Sequence, residues 1–516
     1  MTTRLQRGDM TVMDRHVNRR QFLARSTTGA AIVGMGDLSF LPQLTRLKAA
    51  DLALPPDAVT FRPEIEPLVQ LLEKTDRSQV IETFAERIKA GTSYRDILSA
   101  LLLAGIRNIQ PRPVGFKFHA VLVVNSAHLA SLNSPSDERW LPIFWALDYF
   151  KDSQARDVRE GDWTMKDISN SRLPTPDKAR QAFREAIESW DVEATDLATA
   201  SLARTAGAGE ILNLFSRYGC RDYRDIGHKA IYVANSWRTL QTIGWEHSEP
   251  VLRSLAYALL AHNGANPSTT DHAADRAGKE NLRRLEQFRP GWQKGRLDHE
   301  ATLQLAGTFR QNTDLEASAQ ALELINHGID PQSVWDAVFN FAGELLRRHP
   351  GIVSLHAITS ANALHFSFQH CGDENTRKLL LLQACAFMPR FRGQAIEDGM
   401  QSFQKLEPSP VSDNVGDALE DIFGTIDSDR PEAAAKVFQY LESGLPPREF
   451  ISTARRFLFL KGSNSHDYKF TSAVLEDFYH VSPRWRNHYL AASVFNLRGS
   501  KANTNQLVDR IASAMS

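Results

Sequence analysis

Apolar residues recur at helical spacing along most of the chain. In "DRSQVIETFAERIKAG" they fall at Val80, Ile81, Phe84 and Ile88, and Gly91 ends the run. This spacing predicts an amphipathic helix, and a glycine just after it is typical of a helix end. Segments such as "DKARQAFREAIESWD" and "DRPEAAAKVFQYLESG" have the same period, and alternating runs typical of strands are absent. The pattern predicts an all-α protein.

The pattern also repeats within the chain. When the sequence is aligned with itself so that His119 falls on His356, "FHAVLVVNSAH" matches "LHAITSANALH" and "IKAGTSYRDILSALLLAG" matches "INHGIDPQSVWDAVFNFAG". We call this the internal alignment. Ser93 or Thr92 is the predicted N-cap of the first copy of the latter helix, and Asp330 with Pro331 begins the second. The matched histidines are His119 with His356, His128 with His365 and, after a shift by one position, His228 with His466.

The repeat predicts two tandem, internally duplicated helical halves packed around a pseudo-twofold axis. We assign residues 1–50 to a signal and tail, 60–262 to the first half, 263–299 to a linker and 300–516 to the second half. A period of this length is not that of a solenoid, whose repeats run to about 20–50 residues.

The N-terminus resembles a twin-arginine export signal. "NRRQFLA" places Arg19 and Arg20 before an apolar pair, and the weakly apolar run "STTGAAIVGMG" follows. The pattern departs from the usual signal at Asn18 and Ala24, and a basic, disordered tail is the alternative interpretation. The resemblance implies a twin-arginine translocase as partner and a periplasmic or otherwise exported location.

Composition excludes several classes of partner and site. The chain has 516 residues and a formal net charge of -1, so it lacks the basic excess of a nucleic-acid-binding protein. Beyond the signal, no apolar run approaches the roughly 18 residues that spanning a membrane requires. Cys220, Cys371 and Cys385 are too few and too scattered for a disulfide framework or a cysteine-based zinc site.

The paired histidines are the candidate chemistry. Nine residues along a helix turn about 900°, so His119 and His128 point to opposite sides, as do His356 and His365. One set, two from each half, can meet at the axis as ligands of iron, copper or zinc or as acid and base. The predicted set is His119, His228, His356 and His466, with His128, His365, Tyr232, Glu210 and Glu344 as secondary candidates. Buried imidazoles that only donate to backbone carbonyls are the structural alternative.

"LHAITSANALH", followed by "TRKLLLLQACAFMPRF", and "SHDYKFTSAVLEDF" resemble segments of the questin oxidase-like family. The resemblance implies an all-helical, Baeyer–Villiger-type oxygenase that opens an anthraquinone ring with NADPH and without a flavin. The residues carried over are His356, Thr359, His466, Lys469 and Thr471. The export signal departs from this family, because NADPH is not freely available outside the cytoplasm.

The sequence therefore leads to two hypotheses. The first is an exported oxidoreductase that acts on a small apolar or aromatic substrate at a histidine-lined site between the halves, with a transition metal or NADPH as cofactor. The second is a non-enzymatic helical protein that binds, or assists the maturation of, another exported enzyme.

Overall fold

The structure, a computed structural model, describes residues 55, 57–112, 115–136, 138–397 and 402–516. Within these residues there is no β-strand, and the β-type pairing consists of two isolated bridges, Ala58 with Lys166 and Arg296 with Ile329. The predicted all-α class is confirmed. The predicted export signal around Arg19 lies outside the described residues.

Helices follow one another along the whole described chain. The helices of the predicted first half are α1 Glu66–Lys74, α2 Val80–Lys89, α3 Tyr94–Asn108, α4 His119–Leu122, α5 Val124–Leu132, α6 Leu141–Glu160, α7 Ala179–Ser189, α8 Val192–Thr205, α9 Ala208–Gly219, α10 His228–Ile243 and α11 Ser248–Leu259. Next comes α12, Ala273–Arg284. The helices of the predicted second half are α13 His299–Gln311, α14 Asp314–Asn326, α15 Pro331–Arg348, α16 Ile352–His370, α17 Glu374–Arg392, α18 Val415–Ile426, α19 Arg430–Glu442, α20 Pro447–Lys461, α21 Ser465–Asp477, α22 Arg486–Ala492 and α23 Leu507–Met515.

Short polar side chains cap the helix starts that the sequence indicated. Ser93 Oγ accepts the backbone N–H of Asp96 at 3.1 Å before α3. Asp330 accepts the backbone N–H of Gln332 at 2.9 Å, with Pro331 as the first residue of α15. Each bond satisfies a backbone donor that has no partner inside its own helix.

The segment between the predicted halves contains a helix of its own, α12, which packs against α14 and α17. The contacts join the described residues into one compact unit. The two halves therefore share one continuous packed interior.

The helix order repeats along the chain. Tyr94 and Pro331 begin α3 and α15, and these two starts coincide in the internal alignment. His228 and Ser465 begin α10 and α21, and these starts differ by one position once His228 is matched with His466. The crossing contacts are also reciprocal, because α10 of the first half packs against α16 and α21 of the second packs against α5. This order is what the predicted duplication requires, and the duplication itself stays a prediction.

A buried ion pair stands at corresponding places in the two halves. Arg107 donates from Nε and Nη2 to the two carboxylate oxygens of Glu73, at 2.8 and 2.7 Å. Arg310 donates in the same way to Glu344, at 2.9 and 2.7 Å. The internal alignment matches Glu73 with Arg310 and Arg107 with Glu344, so the second pair has the charges exchanged.

Among the described residues, no helix is both long enough and apolar enough to cross a membrane.

Candidate functional site

Four histidines from four helices meet inside the molecule. The ring centroids of His119 and His228 are 5.0 Å apart, and those of His356 and His466 are 5.3 Å apart. Between the predicted halves, His228 and His356 are 4.4 Å apart and His119 and His466 are 4.8 Å apart. The rings form a closed quadrilateral whose opposite sides match, as two related halves would produce. We call it the histidine cluster.

The cluster is assembled from helix starts. His119 is the first residue of α4, His228 is the first residue of α10, and His466 is the second residue of α21. His356 lies in the second turn of α16. His119, His228 and His356 are fully buried, and His466 is partly buried. The structure thus brings together the four residues that the sequence predicted as one set.

Three of the imidazoles are oriented by the backbone. His119 Nδ1 donates to the carbonyl of Gly115 at 3.1 Å, and His228 Nδ1 donates to the carbonyl of Asp225 at 2.7 Å. His356 Nδ1 donates to the carbonyl of Ile352 at 2.6 Å. A carbonyl oxygen only accepts, so each Nδ1 must carry the proton and each neutral ring presents Nε2 as an acceptor.

The Nε2 atoms face one another. His228 Nε2 is 3.1 Å from His119 Nε2 and 3.0 Å from His356 Nε2. Lone pairs that face each other at these distances repel. One proton on His228 Nε2 can bridge only one of the two contacts. A cation bound among the three nitrogens stabilises both contacts.

The spacing fits a transition-metal ion. Metal–nitrogen distances of about 2.0–2.1 Å put tetrahedral ligands about 3.3 Å apart and neighbouring octahedral ligands about 2.9 Å apart. The two Nε2 separations lie between these values. The set whose ring nitrogens all lie within 4.8 Å of one another is His119, His356 and His466, and it does not include His228. Imidazoles that bind metals commonly donate their other N–H to a backbone carbonyl, as three of these do.

Electrostatics keep the cluster neutral. Burial, followed by the nearby charge of Lys469, lowers the pKa values of His119, His228 and His356 well below the usual range. The same two causes lower the pKa of His466 to about 3. A neutral imidazole is the form that binds a metal, so protons compete weakly for these nitrogens at neutral pH.

Lys469 adds an amine to the cluster. It lies three residues after His466 and therefore on the same face of α21. Its side chain is buried, and Nζ has no hydrogen-bond partner among the described residues. Burial lowers the pKa of Lys469 to about 7. The resemblance named Lys469, whereas its unsatisfied amine was not apparent from the sequence.

A strained turn positions His228. Asp225 has φ 60°, Ile226 has φ 44° and Gly227 has φ 81°, so three successive residues are left-handed just before α10. This conformation is costly for a β-branched residue such as Ile226. The turn points the Asp225 carbonyl at His228 Nδ1. Sequence reasoning missed this turn, and the only local signal for it was a glycine directly before the histidine.

The second histidine pair lies apart from the cluster. His128 contacts the Tyr94 hydroxyl at 2.9 Å through Nδ1 and the Thr242 hydroxyl at 3.3 Å through Nε2. His365 is buried against Trp335, with ring centroids 4.8 Å apart. The predicted opposite orientation of the two pairs is therefore seen.

Other candidates make contacts elsewhere. Tyr232 is buried and donates to Ser254 Oγ at 2.7 Å. Glu210 forms an ion pair with Arg180 in a cavity that the cluster does not line. Glu344 holds the buried Arg310. The carried-over threonines are buried as well, with Thr359 Oγ1 bonded to carbonyls of its own helix and Thr471 lining a separate groove.

A cleft reaches the cluster from the surface. It has a volume of about 620 Å³ and is lined by His466, Tyr149, Leu355 and Ile352, with Arg77 and Arg498 among its charged residues. His466 is the partly exposed member of the cluster, so the cleft is the route by which a small molecule could approach it.

Comparison of the chain with protein-family models, with curated proteins and with solved structures finds no match in any of the three.

Proposed function

We propose that the chain is an exported oxidoreductase whose centre is a transition-metal ion held by His119, His228, His356 and His466. The observation that carries the proposal is the pair of Nε2 contacts of His228, 3.1 Å to His119 and 3.0 Å to His356, with all three Nδ1 atoms committed to carbonyls. Imidazole ligands suit iron, copper and zinc. Oxidation chemistry selects iron or copper, because zinc has no redox chemistry.

The cleft beside His466 supports a small substrate. Tyr149, Leu355 and Ile352 offer aromatic and apolar surface, and the rest of the lining is mostly polar or charged, which favours an aromatic molecule that carries polar groups. An oxygenase of the kind that the resemblance implies inserts one atom of dioxygen into the substrate. The other atom leaves as water, with two electrons and two protons supplied by a donor such as NADPH. The Lys469 amine is close enough to lower the pKa values of all four histidines, and we expect it to hydrogen-bond a group bound at the cluster.

The proposal that the protein is exported rests on the paired arginines Arg19 and Arg20. A protein that leaves the cytoplasm folded can carry a metal already inserted, which agrees with a buried metal site. NADPH is scarce outside the cytoplasm, so another exported electron donor is the better fit to this route.

A second candidate is a non-enzymatic helical protein. The observation that favours it is the fourth imidazole, because four ligands complete a tetrahedral ion and leave no position for a substrate. Such a site stabilises the fold, and the protein then acts by binding or maturing another exported enzyme.

Metal analysis and oxygen uptake separate the candidates. We expect protein purified from its native compartment to contain about one iron or copper ion per chain, and we expect His228→Ala to lose it. The matched control is His128→Ala, which removes a buried histidine outside the cluster and keeps the metal. Oxygen uptake with a hydroxyanthraquinone as the probe should stop after chelation and return with the metal. Bound zinc without oxygen uptake supports the second candidate, and a metal-free wild type contradicts both metal roles.

A further inference from the structure

A groove lies between α5, α20 and α21, away from the histidine cluster. Its volume is about 200 Å³, and its walls include Leu129, Ala130, Leu458 and Leu475, with Tyr479 at the exposed rim. A cavity of about 150 Å³ lined by apolar side chains is known to hold benzene. The groove therefore has room for one ring or a short chain and one further small group.

The groove also contains a guanidinium without a partner. Arg455 lines it and, among the described residues, makes no hydrogen bond or ion pair. Burial lowers the pKa of Arg455, and the nearby Tyr479 and Glu476 act in the opposite direction without forming a hydrogen bond to it. The adjacent Arg456 differs, because it lies at the surface and is paired with Glu138 at 3.0 Å. The Arg455 guanidinium is therefore able to pair with an anion that binds in the groove.

The carboxylate in the groove does not supply that anion. Glu476 lines the groove, but its Oε2 accepts from Arg238 at 2.8 Å and from Asn362 at 2.9 Å. It acts on Arg455 only as a nearby charge. Two oxygens in one plane are the group that a guanidinium binds best, through two parallel hydrogen bonds.

The corresponding crossing, between α10 and α16, carries aromatic side chains at two of these positions. Phe366 matches Leu129 in the internal alignment, and Trp237 matches Leu475 after the same one-position shift that pairs His228 with His466. Arg238 packs over the Phe366 ring at 4.2 Å, and Trp237 packs edge-on against Trp245 at 5.2 Å. Leucines at 129 and 475 therefore form the apolar wall of the groove, whereas the cavity at the other crossing, about 390 Å³, is lined mainly by polar side chains such as Arg238 and His370.

We propose that this groove is a binding site for a monocarboxylate with a compact apolar body, such as one aromatic ring or a short alkyl chain. The carboxylate pairs with the Arg455 guanidinium, and the apolar body lies against Leu129, Leu458 and Leu475. The site is separate from the histidine cluster and does not rest on the metal.

The test uses the full chain with benzoate as the probe and benzamide as its uncharged counterpart. Isothermal titration should detect benzoate binding to the wild type, with benzamide at least about tenfold weaker, because a hydrogen bond to a charged group is worth more than one between neutral groups. Arg455→Gln should weaken benzoate binding at least about tenfold. Arg456→Gln is the matched control and should bind benzoate like the wild type.

A second variant tests the groove rather than the charge. Leu475→Trp introduces the residue found at the matched position, Trp237. The larger side chain should fill the groove and abolish benzoate binding while Arg455 remains. Metal content should be that of the wild type in every variant, so failure here is distinguishable from failure of the metal proposal. Wild-type protein that does not bind benzoate, or equal benzoate affinity in wild type and Arg455→Gln, overturns the proposal.

Discussion

Each predicted half of the molecule has a buried arginine–glutamate pair at the corresponding place, and the positions of the two residues are exchanged between the halves. In the first half, Arg107 of α3 donates two hydrogen bonds to Glu73 of α1. In the second half the glutamate is on α15, as Glu344, and the arginine is on α13, as Arg310. Both pairs are bidentate, and both arginines are buried. At this place the contact is kept while the residues are exchanged.

The histidine cluster behaves differently. Its corresponding positions carry the same residue in both halves, His119 with His356 and His228 with His466. A contact that serves packing alone can keep its place while its two residues change positions, as the arginine and glutamate of the ion pairs do. Four identical imidazoles, three of them turned inward by backbone carbonyls, are what metal chemistry requires. The comparison therefore favours a chemical reason for these four histidines over a structural one.

The largest expected effect comes from breaking the second ion pair. Glu344→Gln should lower the free energy of unfolding by about 3–5 kcal/mol, because the buried Arg310 then loses the charged carboxylate to which it donates two hydrogen bonds. Urea unfolding measures the loss. Asp421→Asn is the control, because its ion pair with Lys436 is partly exposed and should be worth less than about 1 kcal/mol.

The exchange of both partners sharpens this result. Arg310→Glu combined with Glu344→Arg should restore part of the lost stability, because the pair can reform. Recovery stays incomplete, since Arg348 bonds to Glu344 at 2.9 Å and would face a second guanidinium. If the double variant is no more stable than Glu344→Gln, the pair cannot form with the arginine on α15 and the glutamate on α13.

The next effect separates the two histidine pairs. His356→Ala should weaken metal binding by more than about 100-fold, because it removes a ligand and not merely a supporting contact. His365→Ala should keep the metal and lower the free energy of unfolding by about 2–5 kcal/mol, through a cavity beside Trp335 and Phe339. Metal titration and thermal unfolding of both variants test this. Equal destabilisation by both variants, with no metal in the wild type, would make all these histidines structural.

The sequence was informative about the fold and the membership of the cluster. Period and caps located helices such as α2 and α3, because apolar spacing and an N-cap such as Ser93 act locally. The repeat selected His119, His228, His356 and His466, because corresponding positions in two halves can meet at one axis.

Other features depend on long-range contacts. The ion pair of Glu344 with Arg310 is recognisable from the internal alignment only when opposite charges are accepted as a match. The acceptors of the histidine Nδ1 atoms are backbone carbonyls, which every sequence contains. The left-handed turn before His228 has no reliable signature, because Asp225 and Ile226 are held there by surrounding packing rather than by their own preference. The burial of Lys469 follows from helices that are remote in sequence.

The smallest of the three effects concerns that turn. A Cβ atom at Gly227 would collide with Ser360 Oγ of α16, and φ at Gly227 is +81°. Gly227→Ala should therefore shift the start of α10 and move His228 away from His119 and His356. We expect metal affinity to fall by about 10- to 100-fold, as when a group that supports a ligand is changed.

Gly328→Ala is the matched control for the Gly227 variant. Gly328 has φ +86° with nothing within 4 Å of the added Cβ, so it carries a similar backbone cost without the collision. Both variants should lose about 1–2 kcal/mol of stability from the left-handed alanine. Only Gly227→Ala should also lose metal, measured by competition with a chelator at a temperature where both proteins are folded. If the two variants bind metal equally well, the turn does not position His228 for a metal, and the strain at Asp225 and Ile226 needs another explanation.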